Sequence, residues 1–555
     1  MGAAAQDPAD GFRRANELHR GGDREAARAA AQAVLEVAPR HADALHLLGL
    51  IAAQSRDLPL ALALFDRALE SDPRHAFAHG NRGTVLQELG QRDAALAAYD
   101  AAIACKADHA VAHNNRGNLL SGSRQWDAAL AGYDKAIDAQ PDFAVAWSNR
   151  GHVLKQLGRW DAALMSHDTA IALKPDFAEA FSNRGLVYEA IDRPEQALRD
   201  HDRAIELSPA YADAWVNRGN VLKALQRWTE AFDSYERALA IDPEHAEAHF
   251  NKAIALLARG EWRHGWAEYE WRWRQRGTAV KQPRGFAQPV WRATLPLDGK
   301  AILVHCEQGL GDTLQFCRYA QPLARRGARV ILEVQPPLMG VLAGLAGVTR
   351  LVAEGEALPD FDCHCALLSL PLAFGTTLET LPAPATIVAQ PPRVAAWRAR
   401  LGARSGRCVG LMWRGNADHA NDRNRSIALA DWLRHLPGGF HYVSLQKEAL
   451  AHERPVLAAH AGKVSHDDKA DFEDTAAACA CVELVISVDT SVAHLSASMG
   501  RNTWIVLPTD PDWRWLGGRS DSPWYPSVTL HRQSRRGEWG DVVRGIADGL
   551  TRAFA

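Results

Sequence analysis

A chain of 555 residues with 47% hydrophobic content can bury several cores, which excludes a single small domain and predicts at least two. A formal net charge of -3 gives no bulk electrostatic attraction for nucleic acid or an anionic membrane surface, so neither is expected as a partner. Met1 to Asp10 contains no basic segment followed by an apolar one, and no apolar stretch is long enough to span a bilayer, so a cytoplasmic protein is expected.

Eight cysteines in a chain of this length do not make a disulfide framework. The clusters Cys363-His364-Cys365 and Cys479-Ala480-Cys481 have one intervening residue each, fewer than a zinc knuckle needs. Buried thiols and no metal are the expectation.

The first half repeats every 34 residues. Pro39, Pro73, Pro141, Pro175, Pro209 and Pro243 share one lattice, with Ala107 at its vacant node, and Gly49, Gly83, Gly117, Gly151, Gly185 and Gly219 share another. Two helices of about a dozen residues fill such a period, and the proline stops the second of each pair. An α-solenoid is predicted. From Pro8 to His245 the pattern resembles the tetratricopeptide repeat in about seven units; in one of them Trp147, Gly151, Leu154, Ala163, His167 and Ala170 stand near the family's signature positions. His167 replaces the aromatic that Tyr99, Tyr133 and Tyr235 keep. From Ala246 an altered eighth unit carries Trp262, Trp266, Trp271 and Trp273, an aromatic cap expected to dock on the next domain.

One ladder in the array is not demanded by packing. Asn81, Asn115, Asn149, Asn183, Asn217 and Asn251 recur on the first helix of each unit, which lines the concave face of such solenoids. A column of amides can grip an extended polypeptide backbone without reading its sequence, or each amide can satisfy a neighbouring helix. The column resembles the asparagine ladder of the protein O-GlcNAc transferases. Arg82, Arg116, Arg150, Arg184 and Arg218 stand beside it and can simply be solvated.

After Arg276 the composition changes. Gly277 to Pro289 reads as a linker, and short apolar strands then alternate with helices at 301–304, 330–334, 409–412, 442–445, 484–486 and 504–507. This rhythm predicts two parallel-sheet αβ units, with ligands at the carboxyl ends of the strands. Two turns lie there. Gln308-Gly309-Leu310-Gly311-Asp312-Thr313 allows close backbone approach, and lacks both the third glycine of a dinucleotide fingerprint and the lysine of a P-loop. Asp489-Thr490-Ser491 opens a helix whose N-terminus favours phosphate, although Asp489 or Thr490 can equally serve as an ordinary cap.

Together these motifs, across about Ala301 to Leu530, resemble the heptosyltransferase-type glycosyltransferases, whose fold is GT-B with two Rossmann-like lobes. Periodicity and composition, with this resemblance over the α/β half, give domains at 1–276 (array, with its cap at 246–276), 277–300 (linker), 301–395 (first lobe) and 396–555 (second lobe, ending in a helix at 540–554 that packs back across the fold). The resemblance also implies Asp312 as catalytic base, and Gly309, Gly311, Asp489, Thr490, Ser491 and His494 as contacts of a nucleotide sugar. Ser491 stands where the family commonly has glycine. The family's donor-contacting lysine has no clear counterpart; Arg425 in Asn416–Ser426 is the nearest candidate, with Lys447 as a further cation. His494 at helical spacing is as often a core residue. No cofactor is expected beyond the nucleotide-sugar co-substrate.

The implied chemistry is inverting and metal-independent: a carboxylate takes the acceptor proton, and backbone N–H groups with a cation steady the leaving diphosphate. Such an enzyme needs a cleft between the two turns. Pro508–Pro526, dense in Asp510, Asp512, Trp513, Arg514, Trp515, Asp521, Trp524 and Tyr525, is expected to meet the aromatic cap, or else to form a sugar or base platform. The rival reading is a repeat scaffold whose transferase-like region has lost its chemistry; an epimerase-like enzyme is a distant third.

Overall fold

The computed structural model describes residues 7–275, 283–402, 407–416, 421–468 and 470–554; residues 277–282 of the expected linker and 417–420 beside Arg425 lie outside them. The chain divides into two compact units, Met1–Ile241 and Asp242–Ala555.

In the first unit, among the described residues, seven helix pairs run from Pro8–Arg20 and Arg24–Val37 to Ala212–Ala224 and Trp228–Ile241. The glycine lattice has a steric cause. A Cβ on Gly49, Gly83, Gly117, Gly151, Gly185 or Gly219 would fall 2.5 to 2.8 Å from the ring sixteen residues on, in order Phe65, Tyr99, Tyr133, His167, His201 and Tyr235. Glycine lets the two helices of a pair close onto that ring. Several first helices are capped by histidine: the Nδ1 atoms of His41, His75 and His109 accept from the N–H groups of Ala44, Ala78 and Ala112 at 3.1 to 3.3 Å. The arginine row is paired rather than merely solvated. Arg82, Arg116 and Arg150 each donate through Nε to the aspartate sixteen residues back, Asp66, Asp100 and Asp134, at 2.7 Å, and Arg218 donates to Asp202 at 2.6 Å.

The second unit begins with the helices Ala246–Ala258 and Trp262–Tyr269, so the compact boundary falls at 241/242 and not at 276. Aromatic packing is the reason. Trp262 stacks on Trp524 with ring centroids 4.7 Å apart, and Trp266 stands edge-on to Trp513 at 5.3 Å and to Phe316 at 6.1 Å. The expected meeting of cap and tryptophan-rich loop is therefore present. Just beyond, buried Arg272 ties the cap down by donating to Glu307 at 3.0 Å and to Ser369 at 2.7 Å. Burial pushes Glu307 up to about 7 despite this arginine.

Two parallel sheets come next. The first has β1 (Ala301–His305), β2 (Arg329–Val334), β3 (Val348–Ala353) and β4 (Cys363–Ala366) in the order β3-β2-β1-β4. The second has β5 (Arg407–Met412), β6 (Phe440–Ser444), β7 (Val464–Ser465), β8 (Leu484–Val488), β9 (Thr503–Leu507) and β10 (Val528–Arg532) in the order β10-β9-β8-β5-β6-β7. Strand order changes direction at β1 in one sheet and between β5 and β8 in the other. Such switch points leave a crevice at the carboxyl ends of the strands, and both turns singled out above emerge there.

Two expectations about the lobes need correction. The helix Pro391–Leu401 packs Trp397 and Leu401 against Met412, Val443 and Val485, so the division at 395/396 cuts a helix that packs mainly on the second sheet. The terminal helix Gly540–Phe554 does not cross back: Val542, Val543, Ile546 and Leu550 pack with Trp432 and Tyr442 on that same sheet. Its strongly one-sided apolar face finds cover locally, which removes any need to reach the first sheet.

The cysteines are free thiols. Cys363 and Cys365 lie buried in β4, where burial pushes both thiols up and keeps them protonated. Among the described residues no helix is long and apolar enough to cross a membrane.

Candidate functional sites

The glycine turn after β1 leads into the short helix Leu310–Phe316, and the turn after β8 leads into Ser491–Ser498. These two helices meet directly. A Cβ on Gly311 would lie 3.0 Å from the His494 ring and 3.5 Å from the Ser491 Cα, so glycine at 311 is what permits the approach.

Asp312 points back on its own turn, where its Oδ2 accepts from the exposed Gly309 N–H at 2.8 Å, and its Oδ1 accepts from Arg514 of the tryptophan-rich loop. Burial raises the Asp312 carboxyl above the ordinary aspartate range, and Arg514 opposes the rise. Arg514 also donates to Asp512 at 2.8 Å and to buried Gln315 at 2.8 Å. Its guanidinium thus joins the carboxylate of the first turn to the loop of the second sheet.

On the other side, Thr490 occupies the N-cap position of Ser491–Ser498 with extended backbone, but its side chain makes no cap. The Thr490 hydroxyl is instead 3.1 Å from the Ser487 hydroxyl. The helix therefore begins without a side-chain cap, the condition under which its first N–H groups suit an anion. Arg425 lies beside this turn and donates through Nη1 to the Asp489 carbonyl at 2.7 Å. Burial, reinforced by nearby Asp512, pushes the Asp489 carboxyl up to about 6 against the pull of Arg425.

His494 sits in the core. Its Nδ1 is 3.0 Å from the Tyr525 hydroxyl, its ring stacks on Trp515 at 5.2 Å, and burial with Arg514 nearby pushes it down to about 3. A neutral imidazole at pH 7 brings no positive charge to a phosphate. Lys447 is exposed beyond β6, and no contact joins it to this cluster among the described residues.

The structure brings together Gly309, Gly311, Asp312, Asp489, Thr490, Ser491, His494 and Arg425, and leaves Lys447 apart. The roles of Arg514, Asp512 and Gln315 were not read from the sequence. Density of rings and charges at 508–526 signalled an interface, but which charge faces the glycine turn depends on the loop's path. Behind the two turns one continuous apolar core takes in Val304, Phe316, Leu495, Leu507, Trp515 and Trp524 from both sheets.

In the array, five ladder asparagines lie half-buried in the first unit; the sixth, Asn251, falls in the second. Each of the five turns its amide nitrogen on the preceding repeat. Asn81 Nδ2 is 2.8 Å from His46 Nε2, and Asn115 Nδ2 is 3.5 Å from the Thr84 hydroxyl. Asn149 Nδ2 reaches Asn114 Oδ1 at 2.9 Å and Asn118 Oδ1 at 3.1 Å, while Asn183 and Asn217 reach Ser148 and Ser182 at 3.4 and 3.2 Å. Half of each amide thus serves repeat-to-repeat packing. The carbonyl oxygens of Asn81, Asn149, Asn183 and Asn217 accept from no group among the described residues, so the ladder presents acceptors.

Comparison with known proteins bears on the array. The family described as Tetratricopeptide repeat matches residues 12–76 and 81–142, and that described as TPR repeat matches 151–192 and 219–260. The paired helices of this region are tetratricopeptide repeats. Protein FlbA of Caulobacter vibrioides (strain ATCC 19089 / CIP 103742 / CB 15) is 28% identical over 320 residues, which are 52% of this chain and 52% of that protein, so the match spans about half the length of the curated relative. Among solved structures, YrrB, described as a TPR protein with an unusual peptide-binding site, is 25% identical over 34% of this chain and 97% of its own, with a TM-score of 0.28. TTC0263 of Thermus thermophilus, a thermophilic TPR protein, is 24% identical over 33% of this chain and 98% of its own, with a TM-score of 0.29.

Proposed function

We propose that this protein holds a polypeptide in its repeat groove and that its α/β unit, with a GT-B arrangement, is a glycosyltransferase using a nucleotide-sugar donor. One observation carries the enzymatic part: the turn that holds Asp312, at one strand-order switch point, packs through Gly311 on the uncapped helix start at Ser491, beside which Arg425 bonds the Asp489 carbonyl at the other. In this reading the first N–H groups of Ser491–Ser498 and the Arg425 guanidinium hold the donor diphosphate. Asp489 takes sugar hydroxyls, Gly309 offers an exposed backbone for the ligand to approach, and Gly311 lets the two helix starts come together. Asp312, raised by burial, accepts the proton of the attacking hydroxyl, and the nucleoside diphosphate leaves with inversion and without a metal. Lys447, exposed beyond β6, has no part in this arrangement.

Arg514 occupies Asp312, and this favours a second reading, a repeat scaffold whose α/β unit is structural. Screening nucleotide sugars by thermal shift, and then following nucleoside diphosphate release, separates the two. The enzymatic reading expects one donor to stabilise the protein and Asp312→Asn to lower turnover by about 10²–10⁴-fold with donor affinity nearly unchanged. Asparagine keeps the shape and leaves Arg514 its bonds to Asp512 and Gln315. If no donor binds, the scaffold reading stands; if Asp312→Asn turns over normally, the α/β unit is catalytic but Asp312 is not its base.

A further inference from the structure

The repeat groove is not uniform. Within the first unit a cavity of about 270 Å³ opens among Asn118, Ser121 and Tyr133 of the fourth helix pair, Asn149 and His152 of the fifth, and Asn183 of the sixth. Every lining side chain is polar or, for Tyr133, carries a polar tip. Local hydrogen bonds decide what each one offers.

Tyr133 donates its hydroxyl proton to Asn118 Oδ1 at 2.8 Å, and Asn149 Nδ2 donates to the same oxygen at 3.1 Å. These two bonds fix the Asn118 amide with its oxygen engaged. Its Nδ2 meets no acceptor among the described residues and remains a donor. Asn149 spends both amide hydrogens, on Asn114 and Asn118, so its oxygen is its one remaining function. Asn183 donates to Ser148, which likewise leaves an oxygen. The cavity therefore offers donors on the Asn118 and Asn183 amide nitrogens, acceptors on the Asn149 and Asn183 oxygens, the Ser121 hydroxyl, which can do either, and the half-buried His152 imidazole, which makes no hydrogen bond among the described residues.

Charge restricts the occupant further. A carboxylate would face the Asn149 and Asn183 oxygens, whereas an ammonium would face Lys155 next to His152; the Lys155 charge is itself opposed by burial and balanced by nearby Glu189. Burial and that lysine push the His152 imidazole down, so it is neutral at pH 7. An apolar side chain would leave these polar groups without protein partners.

We propose that this cavity is a side-chain subsite of the repeat groove, selecting from an extended polypeptide an uncharged residue that both donates and accepts hydrogen bonds: Asn, Gln, Ser or Thr. It rests on the reading that the groove grips polypeptide, and adds to a backbone grip a preference at one position.

The test uses the full chain and an immobilised library of twelve-residue peptides, with one fixed residue stepped through a degenerate background. The expected result is at least a several-fold enrichment of Asn, Gln, Ser or Thr at one position, lost in Asn118→Leu and in Ser121→Phe, which fills the cavity. Circular dichroism shows whether each variant keeps its helical content, and Asn220→Leu, outside the cavity, should retain the preference. Binding without positional preference, a preference for charged or apolar residues, or a preference unchanged in Ser121→Phe overturns the subsite while leaving polypeptide binding intact. No binding of any peptide overturns the grip itself, and the subsite with it.

Discussion

His167 shows how one side chain can sit against the logic of its own repeat. The lattice it occupies reads Phe65, Tyr99, Tyr133, His167, His201 and Tyr235, and each ring fills the hollow over a glycine. Tyr133 and Tyr235 bond through their hydroxyls to Asn118 and Asn220, and His201 Nε2 is 3.0 Å from Glu189. His167 is fully buried, and neither ring nitrogen has a partner among the described residues. Burial pushes it down to about 3, so it is neutral when folded and titrates near 6.5 only when unfolded. Its contribution is thus complete above pH 6.5 and is lost as pH falls below that value. His167→Phe removes two unsatisfied atoms while keeping the ring, and should stabilise the array by roughly 1–3 kcal/mol at pH 7.5. The advantage should widen at pH 5. Melting curves at the two pH values check both the sign and the trend; a variant less stable than the parent would mean that His167 has a partner.

At the scale of the helix pair, the same lattice decides how glycine acts. Gly117 is inside a helix, where alanine normally stabilises by about 0.5–1 kcal/mol. Here a Cβ would fall 2.8 Å from the Tyr133 ring, and that ring is pinned by its hydrogen bond to Asn118. Overpacking a pinned ring costs about 1–3 kcal/mol, so the steric effect should win and Gly117→Ala should destabilise the first unit. Urea unfolding with an unchanged slope is the measurement; a gain in stability would show that the pair can splay at little cost.

For the whole molecule, where the second unit starts matters more than where the strands start. The helices Ala246–Ala258 and Trp262–Tyr269 bury Trp262, Trp266 and Tyr269 against Phe316, Trp513 and Trp524. A fragment covering 242–555 retains that packing. A fragment covering 277–555 lacks it and exposes a contiguous apolar patch, the kind of surface that drives association. The first should be soluble and monodisperse in size-exclusion chromatography, and the second should aggregate or bind a hydrophobic dye. Equal solubility of the two would show the aromatic cap to be dispensable to the α/β unit.

Periodic features were legible in the sequence because each repeat contacts only its neighbours: prolines, glycines and asparagines recurring every 34 residues define helices, close approaches and a ladder without any knowledge of the fold. The alternation of apolar runs likewise announced parallel sheets, and the two turns at their strand ends. Tertiary structure alone decided the rest, because it depends on contacts between residues remote in sequence. Arg514 meets Asp312 across 202 positions, and Arg318 donates to the Trp524 carbonyl across 206. Buried His494, the terminal helix that stays on its own sheet, and the ladder amides that turn their nitrogens inward all result from such packing. Sequence periodicity identifies which residues share a row; the direction in which each side chain spends its hydrogen bonds is settled by the neighbours that the fold supplies.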